Sequence, residues 1–296
     1  MVPGSSDITP DTDVEVGPAP STVLLKAGLI AVPGGRFVDD LLIENGWVSA
    51  IGSISPLADA IHSNDSSKVT KWEIDAMGLI MLPGWVLPCL QIPSTEPPHQ
   101  ELAEAGVTCA GWVGPLSDDG SQGPWSCDLV GLELIEEAEQ IVSAADAIYK
   151  YGRVAFLLAA DRGSTLVDVA APVLASLRST LIIMSDGQNE KRAVSLAERA
   201  SSSGGRVIVG PLRRPPLVYR AAAAGVIAAT DPAWLVDDPG LWKAVSDGAL
   251  RMLVSSSGRP PSLGTLYRSG PARGLASLET LAALIASRPA ALLGCS

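Results

Sequence analysis

Hydrophobic and polar residues alternate in short blocks near the start of the chain, which is typical of half-buried β-strands. Two such blocks cover residues 22–32 and 39–52, with a Pro-Gly-Gly turn between them and an Asn-Gly pair at 45–46. Asn-Gly between β-rich stretches is the strongest short signal for a hairpin. A further short strand is expected at 72–76. The pattern therefore predicts a small β-sheet domain over residues 22–82.

Beyond residue 91 the pattern changes to short apolar runs that alternate with segments of helical period. The strands are expected near 107–113, 154–159, 181–184, 207–209, 226–229 and 250–254, and the helices near 96–105, 134–149, 167–177, 190–201, 216–224, 239–246 and 275–287. Alternation of this kind predicts an α/β fold with parallel strands and helical crossovers. With the strand before residue 91, about seven strands are recognisable, one short of a (β/α)8 barrel. Either the eighth strand lies within 114–131 or the barrel is incomplete.

The stretch from Leu82 to Gln91 combines a Pro-Gly turn with an apolar strand, in which alternate residues should point the same way. It resembles the signature of the cyclic amidohydrolases (dihydroorotases, dihydropyrimidinases and allantoinases), which reads Pro-Gly-hydrophobic-hydrophobic-Asp-x-His-x-His. In that family the two histidines hold a metal. Here Leu87 stands at the aspartate position, and Cys89 and Gln91 stand at the histidine positions.

Two further regions are similar to the same family. Residues 23–84 resemble the strand set that precedes its barrel, and residues 237–294 resemble its last barrel segments. Where the family has Ser-Asp-His, this chain reads Ser255-Ser256-Ser257, so Ser256 stands at the position of the aspartate. The resemblance implies an amidohydrolase-type (β/α)8 barrel, complete or incomplete, over residues 83–296. Because the family continues with strands that complete the small β-domain, we expect a C-terminally shortened member.

Charge and cysteine usage exclude several other classes. The net charge of −11 and the pI near 4.6 argue against nucleic-acid or anionic-membrane binding, which needs clustered Lys and Arg. Residues 1–21 have neither the basic nor the apolar segment of a targeting peptide and are expected to form a disordered tail. Scattered cysteines without a CxxC pair indicate reduced thiols. We expect a cytoplasmic protein without a membrane span.

The resemblance implies a zinc site, but its ligands are missing. Zinc that activates water requires a cluster of imidazole and carboxylate ligands. The chain has two histidines, His62 and His99, and neither is placed at the end of an expected strand. Leu157 occupies the place of the family's bridging lysine. We therefore expect that the ancestral zinc site is lost and that the protein has no cofactor.

Few residues remain as candidates for chemistry. Cys89 is either a lone ligand or nucleophile, or an inert buried thiol, and buried cysteine is usually inert. Asp186 and Asp231 follow expected strands, so they either form a carboxylate pair at the barrel mouth or cap the next helices. Capping is the commoner role of such residues.

These observations favour a non-catalytic dihydroorotase-like protein that acts through binding. The resemblance implies a structural or regulatory partner role, with aspartate transcarbamoylase of pyrimidine biosynthesis as the partner. An incomplete small sheet, with an open edge and an apolar face, favours a protein partner or a homo-oligomer. Two alternatives stay open: a divergent hydrolase of cyclic amides such as dihydroorotate, hydantoin or allantoin, and a sensor that binds a pyrimidine-like small molecule.

Overall fold

The structure is a computed structural model that divides the chain into two compact units. The smaller unit comprises residues 1–30 and 37–81, and the larger unit comprises residues 31–36 and 82–296. The structure describes residues 22–45, 47–54, 71–90, 99–112, 128–135, 137, 139–141, 155–160, 164–255 and 260–293.

The smaller unit contains a five-stranded sheet with the main strand order β3-β2-β1-β4, in which β5 also pairs with β1. Its strands are β1 (Thr22–Val32), β2 (Gly35–Glu44), β3 (Trp47–Gly52), β4 (Lys71–Asp75) and β5 (Ile80–Met81). β2 and β3 are antiparallel, and Glu44 is paired with Trp47. The hairpin expected from the Asn-Gly pair is thereby confirmed.

This sheet has a small core and a large apolar surface. Leu24, Leu42 and Ile54 pack together and are almost completely buried. In contrast, Trp47 is 76% exposed and Trp72 is 54% exposed. Other exposed apolar side chains of the unit are Phe37, Val38, Val48, Ile51, Ile74, Met77 and Leu79. The described part of the sheet therefore leaves more large apolar side chains in solvent than it buries.

The larger unit contains an eight-stranded sheet whose strands follow one another in chain order. They are β6 (Trp85–Leu90), β7 (Val107–Trp112), β8 (Asp128–Leu134), β9 (Ala155–Ala159), β10 (Thr180–Met184), β11 (Arg206–Gly210), β12 (Ile227–Thr230) and β13 (Leu250–Leu253). Every neighbouring pair is parallel. The expected α/β fold with a small N-terminal β-sheet is confirmed.

Strand β8 is the strand that was missing from the sequence prediction, and its extent shows that the start of one expected helix is wrong. The strand that the sequence did not show clearly is β8, which begins near the end of the expected loop and extends to Leu134. That residue was expected to begin a helix over 134–149, but it pairs with Leu157 of β9. Gln140 and Ile141 are helical, and residues 142–149 lie outside the described part.

Helices connect most of the later strands, as the alternation predicts. They are α1 (His99–Ala105), α2 (Ser164–Ser176), α3 (Glu190–Ser201), α4 (Pro215–Ala223), α5 (Pro232–Asp237), α6 (Pro239–Ser246), α7 (Leu263–Ser269), α8 (Leu278–Ala282) and α9 (Arg288–Leu293), with a 3₁₀ turn at Pro271–Arg273 and a π-turn at Ala283–Ser287. No helix in the described ranges is long and apolar enough to cross a membrane.

Both faces of the parallel sheet are buried, as is usual for all-parallel sheets. The side chains of the two faces belong to two different clusters. Ile183, Val207 and Val209 belong to a large cluster that also contains the apolar faces of the helices. Their neighbours along the strands belong to a second cluster, built from strand residues and the residue after β13. We call it the inner cluster, and it consists of Cys89, Leu132, Ile182, Met184, Ile208, Ala229, Met252 and Val254.

The first and last parts of this sheet are linked by a backbone hydrogen bond. The N–H of Ser255, two residues after β13, donates to the carbonyl oxygen of Cys89 in β6 at 3.1 Å. Residues of β6 and β13 also share the inner cluster. The first and the last strand of the sheet therefore both contribute side chains to the inner cluster.

Candidate functional site

Strand β6 places two of the proposed ligand positions in the interior. Leu87 and Cys89 have no exposed surface. Leu87 lies in the large cluster beside the helices, whereas Cys89 lies in the inner cluster. The expectation that alternate residues of this strand point the same way is therefore wrong for this pair.

An irregularity in the strand pairing accounts for the different orientations. The register between β6 and β7 shifts between Leu87 and Leu90. At this point the backbone of β7 comes very close, because a Cβ atom at Gly111 would overlap the carbonyl oxygen of Pro88. A glycine is needed for this close approach. The strand thus turns Cys89 inward at the position where the resemblance places a histidine.

Cys89 packs in an apolar cluster. Its companions in the inner cluster are aliphatic or methionine side chains contributed by β8 and β10 to β13. Burial raises the pKa of the Cys89 thiol to about 12. Because of this raised pKa, Cys89 is a neutral thiol at physiological pH. The thiolate is the form that acts as a nucleophile or binds a metal, so the neutral thiol does neither. It has the properties of a small hydrophobic side chain.

Ser255 adds a polar group next to Cys89, but little chemistry. The residue is fully buried, and its hydroxyl oxygen has no hydrogen-bond partner among the described residues. A serine hydroxyl needs a base to become a nucleophile. Gln91 and Ser256, the two other positions compared with the family's ligands, lie outside the described residues.

The residues around Cys89 do not fit a zinc centre. Within the described ranges there is no group of three or more His, Cys, Asp and Glu side chains that could hold a metal ion. Leu157, at the position of the bridging lysine, is paired with Leu134 on one side and Ile182 on the other. His99 is the first residue of α1, and His62 lies outside the described residues.

The carboxylates of Asp186 and Asp231 each accept hydrogen bonds from nearby backbone N–H groups. The carboxylate of Asp186 accepts hydrogen bonds from the N–H groups of Gln188 and Asn189, both at 2.9 Å, just before α3. These hydrogen bonds lower the pKa of Asp186. Asp231 is the N-cap of α5, and its carboxylate accepts from the N–H of Ala233 at 2.8 Å. The capping alternative therefore describes the printed hydrogen bonds of both residues.

The same region contains an ion pair that the sequence did not reveal. Glu190, at the start of α3, is only 1% exposed. Its carboxylate accepts from Arg213 N–H at 3.0 Å and from Arg214 Nε at 2.8 Å. The signal in the sequence is an Arg-Arg pair before Pro-Pro at 213–216, a pattern typical of an exposed loop that could also bind an acidic group. The buried carboxylate is thus fully partnered and serves the structure of the loop.

Comparison with known proteins gives a fold but no sequence family. No family profile matches this sequence, and no curated protein matches it. The structure is similar to dihydropyrimidinase from Brevibacillus agri NCHU1002, with a TM-score of 0.70 and 15% identity over 92% of this chain and 82% of that chain. It is also similar to D-hydantoinase from Bacillus sp. AR9, with a TM-score of 0.70 and 16% identity over 90% and 81% of the two chains.

A third similar structure is L-hydantoinase (dihydropyrimidinase) from Arthrobacter aurescens, with a TM-score of 0.69 and 16% identity over 92% of this chain and 82% of that chain. At this level of identity the similarity shows the fold. The chain therefore shares the fold of solved dihydropyrimidinases and hydantoinases, which agrees with the fold that the sequence resemblance implies.

Proposed function

We propose that the larger unit is a closed (β/α)8 barrel of the amidohydrolase type. Eight parallel strands in chain order are the arrangement of such a barrel. The hydrogen bond from Ser255 N–H to the Cys89 carbonyl lies where the first and last strands would meet. The inner cluster supports the same proposal, because barrel interiors are filled by inward side chains from alternate strand positions.

We further propose that the protein is a non-catalytic, dihydroorotase-like member of the amidohydrolase superfamily. The single observation that carries this proposal is the environment of Cys89. Hydrolysis of a cyclic amide requires an activated water and ligands that hold a metal beside it. At the histidine position this chain has a neutral thiol among aliphatic side chains. Among the described residues, no group of three or more His, Cys, Asp and Glu side chains could hold a metal there.

The two aspartates offer little as replacements for the metal. A general base works best when its pKa lies near the operating pH, and the hydrogen bonds to Asp186 lower its pKa instead. Asp231 is buried and is engaged as a helix cap. Both groups therefore act in the structure of their loops, which supports a binding role in preference to a hydrolytic one.

For the role itself we propose a structural or regulatory partner of another protein, with aspartate transcarbamoylase of pyrimidine biosynthesis as the candidate. Exposed apolar surface supports an association. The smaller unit presents Trp47, Trp72 and several aliphatic side chains to solvent. Exposed apolar side chains of this kind are a feature of protein interfaces, where Trp is an enriched residue.

The catalytic part of the proposal is tested by activity and metal content. The full chain is assayed with dihydroorotate, hydantoin, dihydrouracil and allantoin after dialysis against zinc. We expect no turnover above buffer and less than one zinc ion per chain. Cys89→His serves as the matched variant, because it restores one imidazole. Stoichiometric zinc in the wild-type protein, or turnover that Cys89→Ala abolishes, would contradict the proposal.

The partner role is tested with the untagged protein and aspartate transcarbamoylase from the same source. We expect the two proteins to co-sediment, and we expect the replacement of Trp47 and Trp72 by Thr to weaken the complex. Arg192→Gln is the control, since Arg192 is an exposed residue on α3 of the larger unit. Two separate species at all concentrations would contradict this partner.

A second candidate function is a divergent hydrolase of cyclic amides. The observation in its favour is the fold shared with dihydropyrimidinase and two hydantoinases. It predicts turnover of at least one of the four substrates, sensitive to replacement of Asp186 or Asp231. The same assay therefore distinguishes the two functions.

A further inference from the structure

The larger unit has a cavity at the edge of the sheet where three strands begin. Arg206 and Ile227 are the first residues of β11 and β12, and Arg251 is the second residue of β13. Residues of the π-turn and α9 line the same space, which has a volume of about 430 Å³. Cys89 lies near the carboxyl end of its strand, so this cavity is at the opposite edge of the sheet from the residues discussed above.

Three guanidinium groups line this cavity without a carboxylate partner. Arg206, Arg251 and Arg288 form no ion pair with a described acidic residue, whereas Arg199, Arg214 and Arg220 each pair with one: Asp168, Glu190 and Glu198 respectively. The chain has 32 acidic residues against 21 basic ones, so carboxylates are in excess. Three arginines that share a cavity and lack such a partner are therefore an unusual concentration of positive charge.

Arg288 shows most clearly that a partner is missing. Its Nη1 is buried and has no hydrogen-bond partner within the described ranges. Leaving a charged donor buried and unsatisfied is costly. Burial and the neighbouring charge of Arg251 both lower the pKa of Arg288. An anion in the cavity would offset the repulsion between the guanidinium groups of Arg251 and Arg288.

Apart from Ser287, the remaining walls of the cavity are apolar. Ile227, Met252 and Leu292 line it, and the same three residues belong to the inner cluster or pack against it. A bare inorganic ion would leave these side chains facing water. The combination of guanidinium groups with an aliphatic wall fits an anion that carries an organic group.

We propose that this cavity binds a small phosphorylated organic molecule, with the phosphoryl group held by Arg251 and Arg288 and the organic group against Met252 and Leu292. Guanidinium groups bind phosphate oxygens through paired, charge-assisted hydrogen bonds. Arg206 adds a third positive charge at the mouth. A nucleic acid is a poor fit, because the net charge is −11 and the three arginines line a recess instead of an extended stripe.

The proposal is tested by calorimetric titration of the full chain with phenyl phosphate, orthophosphate and benzoate at physiological ionic strength. We expect saturable binding of one phenyl phosphate per chain, and weaker binding of the other two probes. Arg251→Gln and Arg288→Gln should each reduce the affinity for phenyl phosphate by about tenfold or more. Arg192→Gln, on the exposed surface of α3, is the matched control and should change it less than about twofold.

Two further variants keep the test decisive if Arg288→Gln does not fold. Arg206→Gln replaces an exposed side chain and should still weaken binding severalfold. Leu292→Ala should remove the preference for phenyl phosphate over orthophosphate. The proposal is overturned by an absence of saturable binding, by equal affinities in the cavity variants and Arg192→Gln, or by tighter binding of a single-stranded oligonucleotide than of phenyl phosphate. None of these outcomes depends on whether the protein hydrolyses cyclic amides.

Discussion

Two tryptophan side chains lie at the surface of the smaller unit, and two others lie in the interior of the larger one. Trp47 and Trp72 are 76% and 54% exposed, whereas Trp85 and Trp242 have no exposed surface. The indole N–H groups of the buried pair have no hydrogen-bond partner among the described residues. In the larger unit, apolar contact therefore outweighs the cost of two unsatisfied donors.

The two sheets explain this difference. The parallel sheet of the larger unit has helices on one face and the inner cluster on the other, so both faces are buried. The smaller sheet has one small core around Leu24, Leu42 and Ile54. Its exposed large apolar side chains, Trp47 and Trp72 among them, are available to another surface. We infer that the larger unit provides most of the folding free energy and that the smaller unit contributes to association.

The largest expected effect comes from a buried tryptophan. The ring of Trp242 fills the space beside Gly270, where even a Cβ atom would overlap it. We expect Trp242→Ala to lower the free energy of unfolding by about 3–5 kcal/mol, because it removes a fully buried aromatic side chain. Trp47→Ala is the matched control and should change it by less than about 0.5 kcal/mol. Urea unfolding followed by circular dichroism measures both, and equal losses would contradict the comparison.

A smaller loss is expected from the buried ion pair of the larger unit. Arg214→Gln leaves the carboxylate of Glu190 without its charged partner, although the Arg213 N–H still donates to it. We expect a loss of about 2 kcal/mol, below the range for fully buried pairs because Arg214 is half exposed.

The control for Arg214→Gln is Arg220→Gln, which breaks the surface pair with Glu198. Both variants remove one arginine charge from an ion pair, but only the first leaves a buried carboxylate. A loss in Arg220→Gln as large as in Arg214→Gln would show that burial of Glu190 is not the cause.

The free energy of unfolding should fall at alkaline pH because Cys89 is buried in the inner cluster. The thiol has a pKa of about 12 in the folded chain. In the unfolded chain it titrates near ~8.5. The stabilisation by the neutral thiol is therefore complete below ~pH 8.5 and is lost as the pH rises towards the folded pKa, at up to about 1.4 kcal/mol per pH unit.

The measurement compares wild-type and Cys89→Ala proteins by urea unfolding between neutral pH and pH 10. We expect the difference between their unfolding free energies to shrink above ~pH 8.5. A difference that stays constant with pH would mean that Cys89 ionises in the folded state, and the thiol would then be available to a metal or a substrate.

Most of the larger unit was predictable because its later strands are short apolar runs between segments of helical period. Strand β8 was not, because it contains Gly131 and Glu133 and its last residue also fits a helical period. Strand pairing with β9 decides the conformation of this segment, and a single sequence carries no direct record of that pairing. Leu134 is therefore part of a strand because it pairs with β9, although its local sequence also fits a helix.

The residue types at the candidate site can be read from the sequence, but their geometry cannot. The absence of histidine at position 89 is visible in the sequence, and so is the absence of lysine at Leu157. The opposite orientations of Leu87 and Cys89 are not, because they depend on a register shift beside Gly111. The arginine cavity is likewise invisible, since only the fold brings Arg206, Arg251 and Arg288 together.

The smallest effect on stability, and the sharpest test of the comparison, is expected from the tryptophans of the smaller sheet. Trp47→Thr combined with Trp72→Thr replaces two exposed rings with a residue that also favours strands, so the unfolding midpoint should stay within experimental error. The same variant should lose self-association or partner binding in sedimentation experiments, because exposed aromatic side chains are frequent anchors of interfaces. If unfolding shifts strongly while association is unchanged, the smaller sheet uses these rings for its own stability, and the division of roles between the two units is wrong.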